Sequence, residues 1–190
     1  MHMKLITLDI ETTSAAATFD MASMELSVIG IHDSARDVYE AYTVPELPKL
    51  WPIIESADLL IGYNSDHFDI PILNKYYAGD LTRIRSLDLL AEIKKVLGRR
   101  IKLDSVAKAT LGKKKSGHGL DAVTWWAEGK VEKVKKYCLD DVRLTKEIFD
   151  FAVANGKLRF DDFGQKRDIP IDASAWLTAE RTALTHTLPF

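Results

Sequence analysis

The sequence predicts an α/β fold on a mixed sheet whose opening strands are antiparallel and whose later strands are parallel. Three observations predict it. Short apolar and period-two runs dominate the first third of the chain, the spacing turns helical from Pro45, and strand-like and helical segments alternate beyond it. A chain of 190 residues, 46% of them hydrophobic, suffices for one ordinary core, so one domain over 1–190 is expected.

The elements follow in order. "KLITLD" (4–9), "LSVIGIHD" (26–33) and "DVYEAYTV" (37–44) read as strands, with Asp33-Ser34-Ala35-Arg36 as a hairpin connection between the last two. "PELPKLWPIIESA" is helical in spacing, with Pro52 expected in the first turn of its better-formed part. "DLLIGYN" (58–64) is a compact buried strand, followed by a helix expected from Asp69 to Tyr77 and ending near Gly79. "TRIRSLD" (82–88) is a further strand, and helices are expected over 89–97, 103–111, 119–128 and 130–154, punctuated by glycines. After Gly156 the pattern is less regular, with a strand at "KLRFDDF" and a polar turn before "DIPIDASAWL".

Composition excludes several classes. The net charge is −2, from 28 acids against 26 bases, so any polyanion site must be local. A single cysteine, Cys138, excludes an internal disulfide, and no apolar run reaches the length of a membrane span or follows the pattern of a signal peptide. A soluble, cytoplasmic protein with no membrane partner is expected.

Three clusters of acids stand out. In "LITLDIETT", strand alternation puts Leu5, Thr7, Asp9 and Glu11 on one side and Ile6, Leu8 and Ile10 on the other. The acid-x-acid spacing is no better than chance in so acidic a chain. Its position is informative, because acids ending a buried strand are costly unless paired or bound to a cation. An exposed strand end, or a cap on Thr12-Thr13, is the other reading. In "IGYNSDHFDIPIL", Asp66, His67 and Asp69 lie where a strand meets a helix, and Asn64 or Asp66 could equally be an N-cap with Asp69 a first-turn acid. In "VKKYCLDDVRLTKEIFDF", Val131, Val134, Cys138, Val142, Thr145, Phe149 and Ala152 form one apolar stripe. Tyr137 and Asp141 stand at its edge, while Asp140 falls among Lys133, Lys136 and Glu147, so Asp141 is the half-buried acid and Asp140 the solvated one.

The order of these motifs resembles the DEDD superfamily of 3′-to-5′ exonucleases, in the subgroup with a tyrosine in its last motif. "LDIETT" matches the first motif, "GYNSDHFDIPIL" the second through Asn64, Phe68 and Asp69, and "YCLDDV" the third through Tyr137 and Asp141. With "KLDSVAKATLG", these segments are similar to the proofreading exonuclease domain of family B DNA polymerases and to small exonucleases related to it. The resemblance covers about residues 3–152 as a motif-bearing core and leaves 157–190 as a C-terminal extension of open role. It implies a ribonuclease H-like fold: a central mixed five-stranded sheet, second strand antiparallel, flanked by helices.

The chemistry explains why four acids should converge. Phosphodiester hydrolysis brings a nucleophile to an already anionic phosphate and must stabilise a departing oxygen, which two divalent ions about 3.5–4 Å apart can do. Mg²⁺ or Mn²⁺, hard ions preferring oxygen ligands, would also relieve the repulsion among the carboxylates. The resemblance implies that Asp9 bridges both ions, that Glu11 and Asp141 complete the nucleophile-side site, and that Asp69 holds the second ion partly through water. It implies that Tyr137 orients the attacking water, and that the backbone of Ile10 to Thr12, with Asn64 and Phe68, lies against the terminal nucleotide. An aromatic there can stack on a base, although one opening a helix more often packs.

Nine Lys and Arg against two acids between Glu92 and His118 make the local basic patch. Lys113, Lys114 and Lys115 open a glycine-rich loop able to meet phosphates, or simply solvated. His118, 23 residues before Asp141, is not assigned as a base. The Trp125-Trp126 pair reads as one core and one boundary residue, and Asp88 and Asp104 as helix caps. The expectation is a two-metal 3′-to-5′ exonuclease of single-stranded nucleic acid with a free 3′ end, DNA ahead of RNA. An endonuclease of the same fold and a catalytically silent nucleic-acid-binding module are the alternatives. The motifs leave open whether DNA repair, proofreading or RNA trimming is the setting, and no residue marks a replication or repair partner.

Overall fold

The structure, a computed structural model, describes residues 3–14, 21, 23–115, 117 and 119–178. Ser116, His118 and residues 179–190 of the C-terminal extension lie outside the described residues. Strands β1 (Leu5–Thr12), β2 (Leu26–Asp33), β3 (Val38–Thr43), β4 (Leu59–Gly62) and β5 (Ser86–Asp88) form one sheet in the order β3-β2-β1-β4-β5. β1 pairs antiparallel with β2 and parallel with β4, β2 is antiparallel to β3, and β4 is parallel to β5. β2 therefore runs against all the others, as expected.

Among the described residues, six α-helices surround the sheet: α1 (Leu47–Glu55), α2 (Asp69–Leu73), α3 (Leu89–Leu97), α4 (Leu103–Leu111), α5 (Gly119–Ala127) and α6 (Val131–Asn155). One face of β1, carrying Ile6, Leu8 and Ile10, packs with α1 and α2. The other face lies against α6, which crosses β1 and β2. The stripe read from the sequence lies inward on α6, where Val134, Cys138, Val142, Thr145, Phe149 and Ala152 are buried and Val131 only half-buried. Gly30 of β2 makes this approach possible: a Cβ there would stand 3.0 Å from Cys138 Sγ and 3.1 Å from Val142 Cγ2.

Three expected elements differ. Pro52 lies inside α1 rather than in its first turn, because the helix already starts at Leu47. The helix after β4 stops at Leu73, since the chain turns at Asn74, whose Oδ1 accepts the Leu81 N–H at 2.8 Å. The strand expected over 82–88 is shortened by a 3-10 turn at Leu81–Arg83, nucleated by Asp80, whose Oδ1 accepts the Thr82 N–H at 3.0 Å and its hydroxyl at 2.6 Å.

The extension forms a hairpin of β6 (Lys157–Asp162) and β7 (Gln165–Pro170). Leu158, Phe160, Ile169, Ile171 and Trp176 join the core formed with α4 and α6, and Trp176 stacks on Phe149 with ring centroids 5.7 Å apart. No helix among the described residues is long and apolar enough to cross a membrane.

Candidate metal centre

Carboxylate oxygens of Asp9, Glu11 and Asp141 lie within 4.8 Å of one another. β1 supplies the first two, two residues apart on the face turned to α6, opposite Gly30 and Val28 of β2. α6 supplies the third. Asp141 is 1% exposed, more deeply buried than its place at the stripe edge suggested, because Lys115 reaches across it. Asp140 instead pairs with Lys136 at 2.9 Å and with Arg143 at 3.1 Å.

Asp69, the first residue of α2, is buried but stands outside this trio, its Oδ1 accepting the Ile10 N–H at 3.1 Å. It is close enough for its charge to act on Asp9 and Glu11. Burial, then repulsion from Asp141, Asp69 and Glu11, holds the Asp9 carboxyl well above the usual carboxylate range. Burial and Asp141 raise Glu11 to about 8, and burial raises Asp69 to about 7. Without a cation the cluster therefore retains protons near neutral pH.

Lys115 Nζ lies 2.6 Å from Asp141 Oδ2 and 5.6 Å from the centre of the Tyr137 ring. Burial alone would lower its pKa, but Asp141 and Asp9 outweigh that and raise it. The other oxygen, Asp141 Oδ1, is buried with no hydrogen-bond partner among the described residues. Such an orphan is costly in a finished core and natural at a cation site. All the donors are hard carboxylate oxygens, so the residues fit Mg²⁺ or Mn²⁺.

Tyr137 is 3% exposed and meets Trp125 edge to face at 5.9 Å. Its hydroxyl lies 3.4 Å from the Gly117 carbonyl, a weak contact, and burial followed by Asp141 raises its pKa above the usual phenol value. Both Trp125 and Trp126 are half-buried, so neither is the core residue expected of the pair. Asp88 caps α3 as expected, whereas Asp104 is already inside α4 and accepts the Lys115 N–H at 3.0 Å.

The residues expected to meet substrate divide. Ile10, Thr12 and Phe68, with Glu11, Leu120 and Val123, line a 370 Å³ cavity beside the cluster. The Ile10 side chain itself is in the core, and its N–H is taken by Asp69. Asn64 does not face this cavity: it lines another, of 850 Å³, where its Oδ1 accepts from Arg100 Nη2 at 2.7 Å. Lys113 pairs with both oxygens of Glu147 on α6, at 2.7 and 2.6 Å, whereas Lys114 is exposed. Leu120, 67% exposed, was not singled out from the sequence, and its only signal there is that it follows the glycine opening α5. Arg100 carried no signal separating it from its basic neighbours.

A family model of the RNase_H superfamily matches residues 6–153. No curated protein matches the chain. Among solved structures, the family B DNA polymerase from the hyperthermophilic archaeon Pyrobaculum calidifontis matches with a TM-score of 0.60 and 19% identity. The match covers 82% of this chain and 26% of the polymerase, so the chain spans about a quarter of that protein's length, and the likeness is one of fold.

Proposed function

Because the chain belongs to the RNase_H superfamily, we propose that it is a metal-dependent nuclease removing nucleotides from the free 3′ ends of single-stranded DNA, with RNA as the second polymer. The observation that carries this reading is the convergence of Asp9, Glu11 and Asp141 within 4.8 Å, together with the orphaned Asp141 Oδ1. Asp9, Glu11 and Asp141 would hold one divalent ion, and Asp69 would help to hold a second. Ions held there supply Lewis-acid activation of water and a counter-charge for the phosphate.

The chain's own groups do the rest. Tyr137, whose raised pKa keeps it protonated, orients the attacking water through its hydroxyl. Phe68 and Leu120 offer apolar surface to the terminal base in the 370 Å³ cavity. Lys115, paired with Asp141, holds its ammonium beside the carboxylates, where it would meet a substrate phosphate. Residues 157–178 act as a structural brace of the same domain, since their apolar side chains complete the core under α4 and α6.

Linear and circular single-stranded DNA, each incubated with Mn²⁺, test the reading. Loss of the linear form with the circle intact is the expected outcome. Cutting of the circle would favour an endonuclease of the same fold, and loss of neither a silent binding module.

A further inference from the structure

We propose that the 850 Å³ cavity beside the carboxylate cluster is a second nucleotide subsite, seating the nucleotide upstream of the one released, with Arg100 as its phosphate anchor. The proposal rests on the exonuclease reading and deepens it. Its volume falls in the range of about 300–1,000 Å³ typical of small-ligand sites.

The walls divide by chemistry. Half-buried Tyr63 gives an aromatic surface against which a base of any identity can lie, backed by the buried Leu90, Ile101 and Leu103. Arg100, Lys102 and Lys114 line the same cavity, and Lys115 connects it to Asp141. In the basic stretch, Lys95 pairs with Glu92, Arg99 with Asp162, Lys113 with Glu147 and Lys115 with Asp141. Arg100, Lys102 and Lys114 have no ion-pair partner among the described residues, so three uncompensated cations meet on one cavity. Asp104, the acid in the same wall, keeps its charge while accepting the Lys115 N–H, so these cations outnumber it three to one.

Arg100 is held in place by a chain of contacts. A Cβ on Gly62 would fall 2.3 Å from Ser65 Cβ, so the turn after β4 closes this tightly only over glycine. The turn puts Asn64 at φ 67°, in the left-handed region that Asn tolerates, with its N–H donating to Asp88 Oδ1 at 2.7 Å. From there Asn64 Oδ1 accepts one Arg100 N–H. The Tyr63 hydroxyl, donating to the Ile101 carbonyl at 2.7 Å, ties the Arg100 segment to the same turn. One of five guanidinium donors is thus used for aiming, leaving enough for a bidentate phosphate contact. Asn64 is a positioning residue here, acting through Arg100.

Arg100→Gln tests the subsite with two substrates and Mn²⁺. One is a single-stranded oligonucleotide; the other is the p-nitrophenyl ester of thymidine monophosphate, which has no upstream nucleotide. The oligonucleotide KM is expected to rise about tenfold with kcat nearly unchanged, and the ester to be turned over as by wild type. The slope of log KM against log salt should lose about 0.7, the contribution of one single-strand phosphate contact. Lys49→Gln, a change on α1 and outside this cavity, should leave the KM unaltered. An active wild type whose Arg100→Gln variant keeps its oligonucleotide KM would overturn the subsite alone. Inactivity of the wild type on both substrates would overturn the exonuclease reading, and the subsite with it. The split between KM and kcat decides even where the ester is a poor substrate.

Discussion

Lys115 Nζ sits 2.6 Å from Asp141 Oδ2, so the chain places a tethered monovalent cation among the carboxylates proposed to hold divalent ones. Two cations cannot share that oxygen at contact distance without strong repulsion. Lys115→Met is therefore expected to tighten Mn²⁺ binding about tenfold, roughly 1.4 kcal/mol. Isothermal titration calorimetry checks this, and weaker binding in the variant would show that Lys115 supports the metal site instead.

The buried acids make stability depend on pH in a direction opposite to an ordinary ion pair. Glu11 has a folded-state pKa of about 8 against 4.5 for the free side chain, so the folded state binds more protons between those values. Stability is then fully present below about pH 4.5 and is lost as pH rises through about 8. In a chelator the melting temperature should fall on the order of 5 °C between pH 5 and pH 8. Glu11→Gln should flatten that dependence, and Mg²⁺ should reverse it in the wild type. A melting temperature rising over this interval would mean that the acids are charge-compensated without metal.

Tyr137→Phe removes one hydroxyl and keeps the ring that packs on Trp125. A fall in kcat on the order of tenfold to a hundredfold is expected, with KM and metal affinity unchanged. Unchanged kcat in steady-state assays would reduce Tyr137 to a packing residue.

The C-terminal hairpin is proposed as part of the domain. Trp176, 5% exposed against Phe149, should cost about 3 kcal/mol when changed to Ala, measured by urea unfolding. A loss below about 0.5 kcal/mol would show that the segment rests on the core without supporting it.

What was legible in the sequence was local. Alternation along β1 was enough to turn Asp9 and Glu11 to one side, and helical periodicity to separate Asp141 from Asp140, because both depend only on backbone repeat. The extent of burial was not legible, since Asp141 is covered by Lys115 from a loop 26 residues earlier in the chain. Nor were the partners of the basic residues: Lys113 pairs with Glu147 on α6, and Arg100 is held by the Asn64 turn. The reason for Gly30 in β2, the closeness of α6, exists only in three dimensions. The early end of α2 likewise depends on the hydrogen bond Asn74 makes to Leu81.

Asp9, Glu11, Asp69 and Asp141 are proposed to form a metal-dependent exonuclease centre. The most direct measurement is digestion of 5′-labelled single-stranded DNA and RNA with Mg²⁺ or Mn²⁺, run beside Asp141→Asn. A ladder shortening stepwise from the 3′ end is expected for the wild type, removed by chelator and reduced at least about a thousandfold in the variant. No cleavage of either polymer, or a variant as active as the wild type, would contradict it.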